Sequence, residues 1–478
     1  MQPLAAKTWC FVMMVYGYKA DGTFERDKDL MLAELGRPKM LDQVHLVVMQ
    51  NIIDENNTSQ QNDVLEIFYF ENTTNENIVR IPWQTVSTQN LATKRGIIRD
   101  TLQQVYQCFP ATHTGFITWD HGNVFGIQHA RPVSHLNTGG LANFMAKSNL
   151  TGFAQPFTTT LEVKQNSPTY RWWELGTEKK DGGAHFRWNN LLQRDELDPA
   201  SKPDLLTNEA LAEMLLYATH NAGIQVLMMM NCWMHNLHSL YALNNACQYL
   251  VAPETIIDAP GYHFHEILRS ANGGALPEQL CVKAVATIQT LSPAQLAIAD
   301  LGPSYWAVFA TPMVKATAHI CSLQALLTLF IEVLQQNSQA KSLAWDTRKN
   351  AFEFDGMYAY DLIDLGNYFK RFIAYSSPGN RTGQLLQKME QWQQDAKGLH
   401  CAAHLGRTIY DAGVRTASSG MQLYEPTGTG VSFPYLQNHW AGTRAILQYY
   451  FTPGSPLQSR FVSHTLWRDF LQLLDCLP

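Results

Sequence analysis

Ile224-Gln225-Val226-Leu227-Met228-Met229-Met230-Asn231-Cys232 is an apolar run that ends in a thiol. Gly115-Phe116-Ile117-Thr118-Trp119-Asp120-His121-Gly122 is a second such run, and it ends in an imidazole. Both have the length and apolar content of strands buried on two faces, the kind found in parallel sheets covered by helices. In those sheets ligands bind in the crevice outside the carboxyl ends of the strands. A free cysteine at a strand end is by itself more often a small buried hydrophobe. A histidine and a cysteine brought to two such ends from distant parts of the chain are the layout of a Cys/His nucleophilic site.

Working outward, Thr207 is placed to cap a helix running to about residue 222, with Glu209 in its first turn, and this helix leads into the Cys232 strand. Residues 90–108 have helical apolar spacing and precede the His121 strand. Further strands are expected at 9–16, 43–50, 64–70 and 250–252, with helices at 26–35 and 237–249. Strands alternating with helices predict an α/β fold whose sheet is mostly parallel, with right-handed crossovers. The expected organisation is an α/β unit over residues 1–260 and a mainly helical region over 261–478. Helices are expected there at 264–270, 276–290, 314–336, 359–373 and 382–396, with one late strand at 420–424. Residues 123–206 are rich in Gly, Asn, Pro and Thr. A connection of that length is uncommon in a compact unit and reads either as an ordinary decorated insertion or as a lid or processing loop.

Composition narrows the function. Of 478 residues, 46% are hydrophobic and 16% charged, as in a folded chain with a large core. A net charge of −6 with no basic run argues against nucleic acid or an anionic membrane surface as partner. Residues 1–7 lack the charged start of a signal peptide, and 319–334 read as too short and too polar to span a membrane. Eight scattered cysteines with no CxxC pair fit a reducing compartment, so a cytoplasmic location is expected. No His/Cys spacing fits zinc and no EF-hand loop is present, so no metal cofactor is expected. No motif fixes an oligomeric state.

The quoted strands and their flanks resemble one family. Thr8-Trp9-Cys10-Phe11-Val12-Met13-Met14-Val15-Tyr16 resembles the opening strand of the clostripain-like cysteine peptidases of the caspase-like clan. Trp119-Asp120-His121-Gly122 is similar to that family's Trp-Asn-His-Gly, and Asn231-Cys232-Trp233-Met234 to its Asp-Ala-Cys-Leu-Met. Residues 249–254, Pro260-Gly261-Tyr262 and residues 419–426 resemble later family segments, in the same order. The resemblance implies a caspase-like sheet flanked by helices. It also implies that Cys232 is the nucleophile, that His121 is its acid–base partner, and that the N–H groups of Gly122 and Cys232 form the oxyanion hole. Calcium is implied for some members by the resemblance alone.

Substrate preference follows from a departure. Basic-specific members carry an aspartate two residues before the nucleophile, at the base of the S1 pocket; here Met230 stands there, followed by Asn231. An apolar side chain leaves a buried Lys or Arg unpaired, which costs several kcal/mol, so an uncharged, aliphatic P1 residue is expected. Asp258 is the one nearby carboxylate that would reverse this. Lys147, Lys179 and Lys180 in the 123–206 stretch then become poor self-cleavage sites. His235 and His238 are rival bases but are expected to ride the helix after the nucleophile. His113 is expected to precede its strand and face solvent, and His263 and His265 flank the Gly261 turn as cleft-lining, non-catalytic residues. The expectation is an intracellular endopeptidase acting by limited proteolysis on a protein or peptide substrate, by analogy in bacterial stress, cell death or defence. A pseudo-peptidase binding partners through the same cleft, or another thiol chemistry such as acyl transfer, are the alternatives.

Overall fold

The computed structural model describes residues 3–18, 35, 41–53, 64–72, 78–87, 91–119, 121–122, 124–128, 186–189, 194–197, 205–255, 257, 261–288, 306–351, 362–376, 380–405, 426–434, 451, 458–474 and 476. Its strands in chain order begin with β1 (Lys7–Tyr18), β2 (Val44–Ile53), β3 (Val64–Asn72), β4 (Ile78–Ser87) and β5 (Ala111–Trp119). Next come β6 (His121–Gly122), β7 (Gly126–Gln128), β8 (Phe186–Asn189), β9 (Arg194–Leu197), β10 (Leu205–Thr207), β11 (Ile224–Met230) and β12 (Cys247–Pro253). The last are β13 (Ala307–Pro312), β14 (Leu362–Asp364), β15 (Ala402–Leu405) and β16 (Gly430–Ser432).

Nine of them form one sheet in the order β15-β13-β12-β11-β5-β1-β2-β3-β4. The central five, β12 to β2, are parallel, and both flanks are antiparallel. The parallel centre is where the sequence is most continuously apolar, because helices cover both faces there. Every side chain from Trp9 to Val15 in β1 and from Val226 to Met230 in β11 is buried. After β1 the chain pairs β2 on one side and later returns to lay β5 on the other. The strand order therefore reverses beside β1 and β5, which is where an open α/β sheet gathers its ligands.

The helices follow sequence logic at their ends. Thr207 caps Asn208–Ala218 as expected, its Oγ1 accepting from the Ala210 N–H at 3.1 Å. The helices at Phe264–Asn272, Pro277–Ile288, Met313–Gln336 and Asn380–Lys397 lie close to their expected spans, whereas the helix expected at 359–373 begins only at Leu365, after the strand β14, and ends at Tyr375. Ser338–Lys349 was not expected as a helix; Asn337 caps it, accepting from Gln339 N at 3.0 Å and Ala340 N at 3.1 Å.

Three differences have physical causes. The region after residue 260 is not purely helical up to its late strand. Its β13 and β15 complete one edge of the main sheet, which therefore takes strands from both sides of residue 260. In sequence β13 merges with the apolar helix Met313–Gln336 that follows it directly, and periodicity cannot separate adjoining buried elements. The stretch read at 319–334 as too short to cross a membrane belongs to that 24-residue helix, which by length and composition alone is long and apolar enough. Its Ala316, Ile320, Leu323, Leu327 and Phe330 are buried within the fold. Finally, β12 begins at Cys247, so the helix expected to reach residue 249 is the shorter Leu237–Ala242. The helix expected at 26–35 (apart from Leu35) and the strand expected at 420–424 lie outside the described residues, as does most of 123–206, including Lys147, Lys179 and Lys180.

Candidate active site

The two strands that end in histidine and cysteine are neighbours in the parallel centre, with Trp119 and Met230 on the same rung. His121 and Cys232 each lie two residues beyond that rung. Past β5 the chain turns into a small second sheet of order β10-β7-β6. His121 pairs with Gln128 and Gly122 with Ile127, while Gly126 pairs with Thr207, the cap of the helix that delivers β11. The main chain of His121 is thus fixed by pairing; its side chain, Asp120 and Asp258 lie outside the described residues.

Gly122 is buried directly against the Cys232 backbone. A Cβ built there would run into the Cys232 carbonyl oxygen and sit 3.0 Å from both the Cys232 nitrogen and Met234 Cγ. Only glycine permits this approach. It brings two backbone segments with N–H donors, 122 and 232, to one place, which is the requirement for an oxyanion hole.

Cys232 is buried at 8% exposure. The Ile257 N–H donates to its Sγ at 3.5 Å, and the thiol faces the Ile257 carbonyl at 3.6 Å. The turn after it is tied to the end of β12 by main-chain bonds, Trp233 N–H to Thr255 O at 3.0 Å and His235 N–H to Pro253 O at 2.7 Å. Trp233 has φ +59°, a left-handed conformation rare for a bulky side chain.

Of the residues read as S1, Met230 is buried and packs on the Gly261 turn, where φ is +63° and a Cβ would lie 2.7 Å from the Met230 sulfur. The Tyr262 hydroxyl donates to the Met229 carbonyl at 3.1 Å and holds this turn to the strand end. Asn231 is wholly buried and accepts from the Thr118 hydroxyl, which locks it between β11 and β5.

The rival histidines have other work. His235 Nε2 meets Thr311 Oγ1 at 2.8 Å, and Thr311 Oγ1 meets His400 Nδ1 at 2.7 Å. His400 Nε2 lies 2.8 Å from the Thr427 carbonyl. A carbonyl only accepts, so His400 carries its proton on Nε2, Thr311 donates to His400 Nδ1, and His235 Nε2–H donates to Thr311. Burial, and then the neighbouring His400, holds His235 well below the ordinary imidazole range, and burial pushes His400 down to about 4. His238 accepts from the Ser432 N–H at 3.3 Å through Nε2 and reaches Ser459 Oγ at 2.9 Å through Nδ1; burial lowers it to about 3. His400 and His238 are bonded through both ring nitrogens and His235 through Nε2, and neutral imidazoles held in this way are structural. His113 is on β5 and not before it, with its ring 4.9 Å from that of Trp9. His263 and His265 face each other at 5.1 Å beyond Gly261, and His265 lies 3.5 Å from Glu266.

Two buried carboxyls lie beyond the end of β12. Burial and then Asp364 push Glu254 well above the usual carboxylate range; burial likewise raises Asp364. The Gly428 N–H donates to Glu254 at 3.2 Å and the Thr427 N–H to Asp364 at 2.7 Å, which ties the end of β12 to the 427–430 loop. Among the described residues no group of three His, Cys, Asp or Glu is disposed to hold a metal ion.

Sequence reasoning missed three buried residues beside the site. Val124, in the β6–β7 turn, has φ +73°, and its carbonyl accepts from Asn208 Nδ2 and Asn236 Nδ2, each at 3.0 Å. Asn236 caps Leu237–Ala242, and an Asn before an apolar helical run was the available signal.

No protein-family model and no curated protein matches the chain. Solved structures do. A secreted C11 cysteine protease from Bacteroides thetaiotaomicron, "iotapain", has TM-score 0.52 and 12% identity, covering 96% of this chain and 100% of its own. An inactive zymogen C11 protease from Parabacteroides distasonis has TM-score 0.53 and 11% identity, covering 94% and 97%. At that identity the likeness is one of fold: a mixed sheet, parallel at its centre and flanked by helices, shared with clostripain-like cysteine proteases over nearly the whole chain.

Proposed function

We propose that this protein is a cysteine endopeptidase with Cys232 as nucleophile and His121 as its acid–base partner. The observation that carries the reading is the shared rung of Trp119 and Met230, with Gly122 pressed against the Cys232 backbone beyond it. In this reading the Cys232 thiolate adds to the scissile carbonyl carbon while its proton resides on His121. The tetrahedral oxyanion accepts from the N–H groups of Gly122 and Cys232. Collapse breaks the C–N bond, His121 returns the proton to the departing amine, and water then hydrolyses the thioester.

An uncharged P1 residue belongs to the same proposal. Met230 gives a cationic side chain nothing to pair with, and an unpaired buried charge costs several kcal/mol. Limited proteolysis of a protein or peptide substrate belongs to the proposal by analogy with the clan. A cytoplasmic site of action is supported by eight free cysteines. The Bacteroides thetaiotaomicron neighbour, by contrast, is a secreted protein. Substrates in stress, cell death or defence remain an analogy with the clan.

Two measurements test this. A peptidyl thiol-directed inhibitor should label Cys232 in the wild-type chain and fail in Cys232→Ala and His121→Ala; labelling elsewhere, or none, sinks the peptidase reading. A P1 peptide library should show cleavage after aliphatic residues, and a preference for Arg or Lys rejects the role given to Met230.

A further inference from the structure

Asn236 is wholly buried, four residues after the nucleophile. Its side-chain amide has two N–H donors, and they diverge. One donates to the carbonyl of Trp233, the residue after Cys232, at 2.7 Å. The other donates to the carbonyl of Val124, two residues after Gly122, at 3.0 Å. Its Oδ1 accepts from the Ser239 N–H at 2.9 Å and caps the Leu237–Ala242 helix. Turning the amide over would set its oxygen against two carbonyl oxygens and its nitrogen against an N–H, so the orientation is determined by the partners.

We propose that Asn236 is a positioning residue for the oxyanion hole, its one amide clamping the histidine hairpin to the nucleophile turn. The inference rests on the peptidase reading and adds a residue to it. The two oxyanion donors belong to different loops, which come from strands distant in sequence. Their separation therefore depends on what spans the loops, and Asn236 does so with two bonds from a single rigid group. Both loops also hold a residue in the left-handed region, Val124 at φ +73° and Trp233 at φ +59°. Each strained residue offers Asn236 its carbonyl, so the amide secures the two conformations that the backbone would otherwise leave. A helix cap alone does not require this, because a serine caps as well as an asparagine and lacks the two donors.

Asn236→Ser and Asn236→Ala separate the roles. Serine keeps a cap and loses the clamp; alanine loses both. In each, kcat for a cleaved peptide should fall about 100-fold, the scale of a small misplacement of catalytic groups, with KM within about threefold. Alkylation of Cys232 by iodoacetamide needs the thiolate and no oxyanion donors, so its rate should stay within about twofold. Melting temperature should fall further in Asn236→Ala than in Asn236→Ser. Asn208→Ser, which removes one donor from Val124 and leaves Trp233 alone, should lose about 10-fold in kcat on the same scale, with unchanged alkylation. Full turnover in Asn236→Ser, or a loss of turnover matched by an equal loss of alkylation, overturns the proposal. If the position-236 variants do not fold, full turnover in Asn208→Ser overturns it instead. Failure of the peptidase reading is recognised separately, as wild-type protein whose hydrolysis does not depend on Cys232.

Discussion

The nucleophile turn and the histidine hairpin follow adjacent strands of one sheet, yet they are held in different ways. The turn after Cys232 is bonded main chain to main chain to the segment that ends β12, through Thr255 and Pro253. The hairpin with His121 and Gly122 has main-chain bonds to the three-residue strand β10 and to the Asn208 N–H, and relies besides on the side chains of Asn208 and Asn236, the second of which also reaches Trp233. Main-chain bonds survive most substitutions, whereas side-chain bonds vanish with one. The two halves of the site should therefore differ in vulnerability, with the histidine side the easier to displace.

The strongest challenge to this comparison is applied where the halves touch. Gly122→Ala forces a methyl group into the Cys232 carbonyl and should lower kcat/KM by about 10²–10³, the cost of one lost oxyanion donor. Turnover within threefold of wild type would mean that the two backbones do not cooperate. Acid sharpens the contrast on the nucleophile side. His235 leaves the turn to meet Thr311 and His400, and these imidazoles, with His238, are held below their unfolded range near 6.5 by burial. Their stabilisation is present above that range and is lost as pH falls through about 4 for His400 and about 3 for His238. The carboxyls run the other way: Glu254 and Asp364 are raised, so their contribution is present below about 4.5 and fades as pH rises through their folded values. Melting curves from pH 3 to 9 should show a maximum between the two limbs. Glu254→Gln should flatten the alkaline limb alone, and an unchanged limb would remove the carboxyl pair from the account. The smallest effect is expected on the hairpin's platform, where Thr207→Ala removes a helix cap at about 1 kcal/mol. A drop in melting temperature with kcat reduced less than in Gly122→Ala fits the comparison; no drop at all means the cap is redundant.

What could be read from sequence follows the same division. The runs ending in His121 and Cys232, and the Thr207 cap, were legible because burial on both faces and capping leave local marks. The strand β4 was not, since Pro82 and a bulge beside Phe68 interrupt its pattern and much of it is exposed. The β6–β7–β10 sheet is too short for any periodicity. Asn236 and Val124 are 112 residues apart, and nothing in the sequence near either points to the other. Catalytic residue types announce themselves; the residues that aim them do so only through carbonyls, which every residue has.

The pairing of Gln128 with Leu205 has a consequence for the covalent chain. Gln128 and Leu205 share one rung, so the two ends of the intervening stretch of sequence are neighbours. A backbone break anywhere within it would turn one polypeptide into two, with His121 and Gly122 on the first and Cys232 on the second. The pairing of β5 with β11 and of β7 with β10 runs between those two pieces. The site is in that sense a subunit interface within a single chain, assembled by strand pairing and not by the peptide bonds that connect its halves.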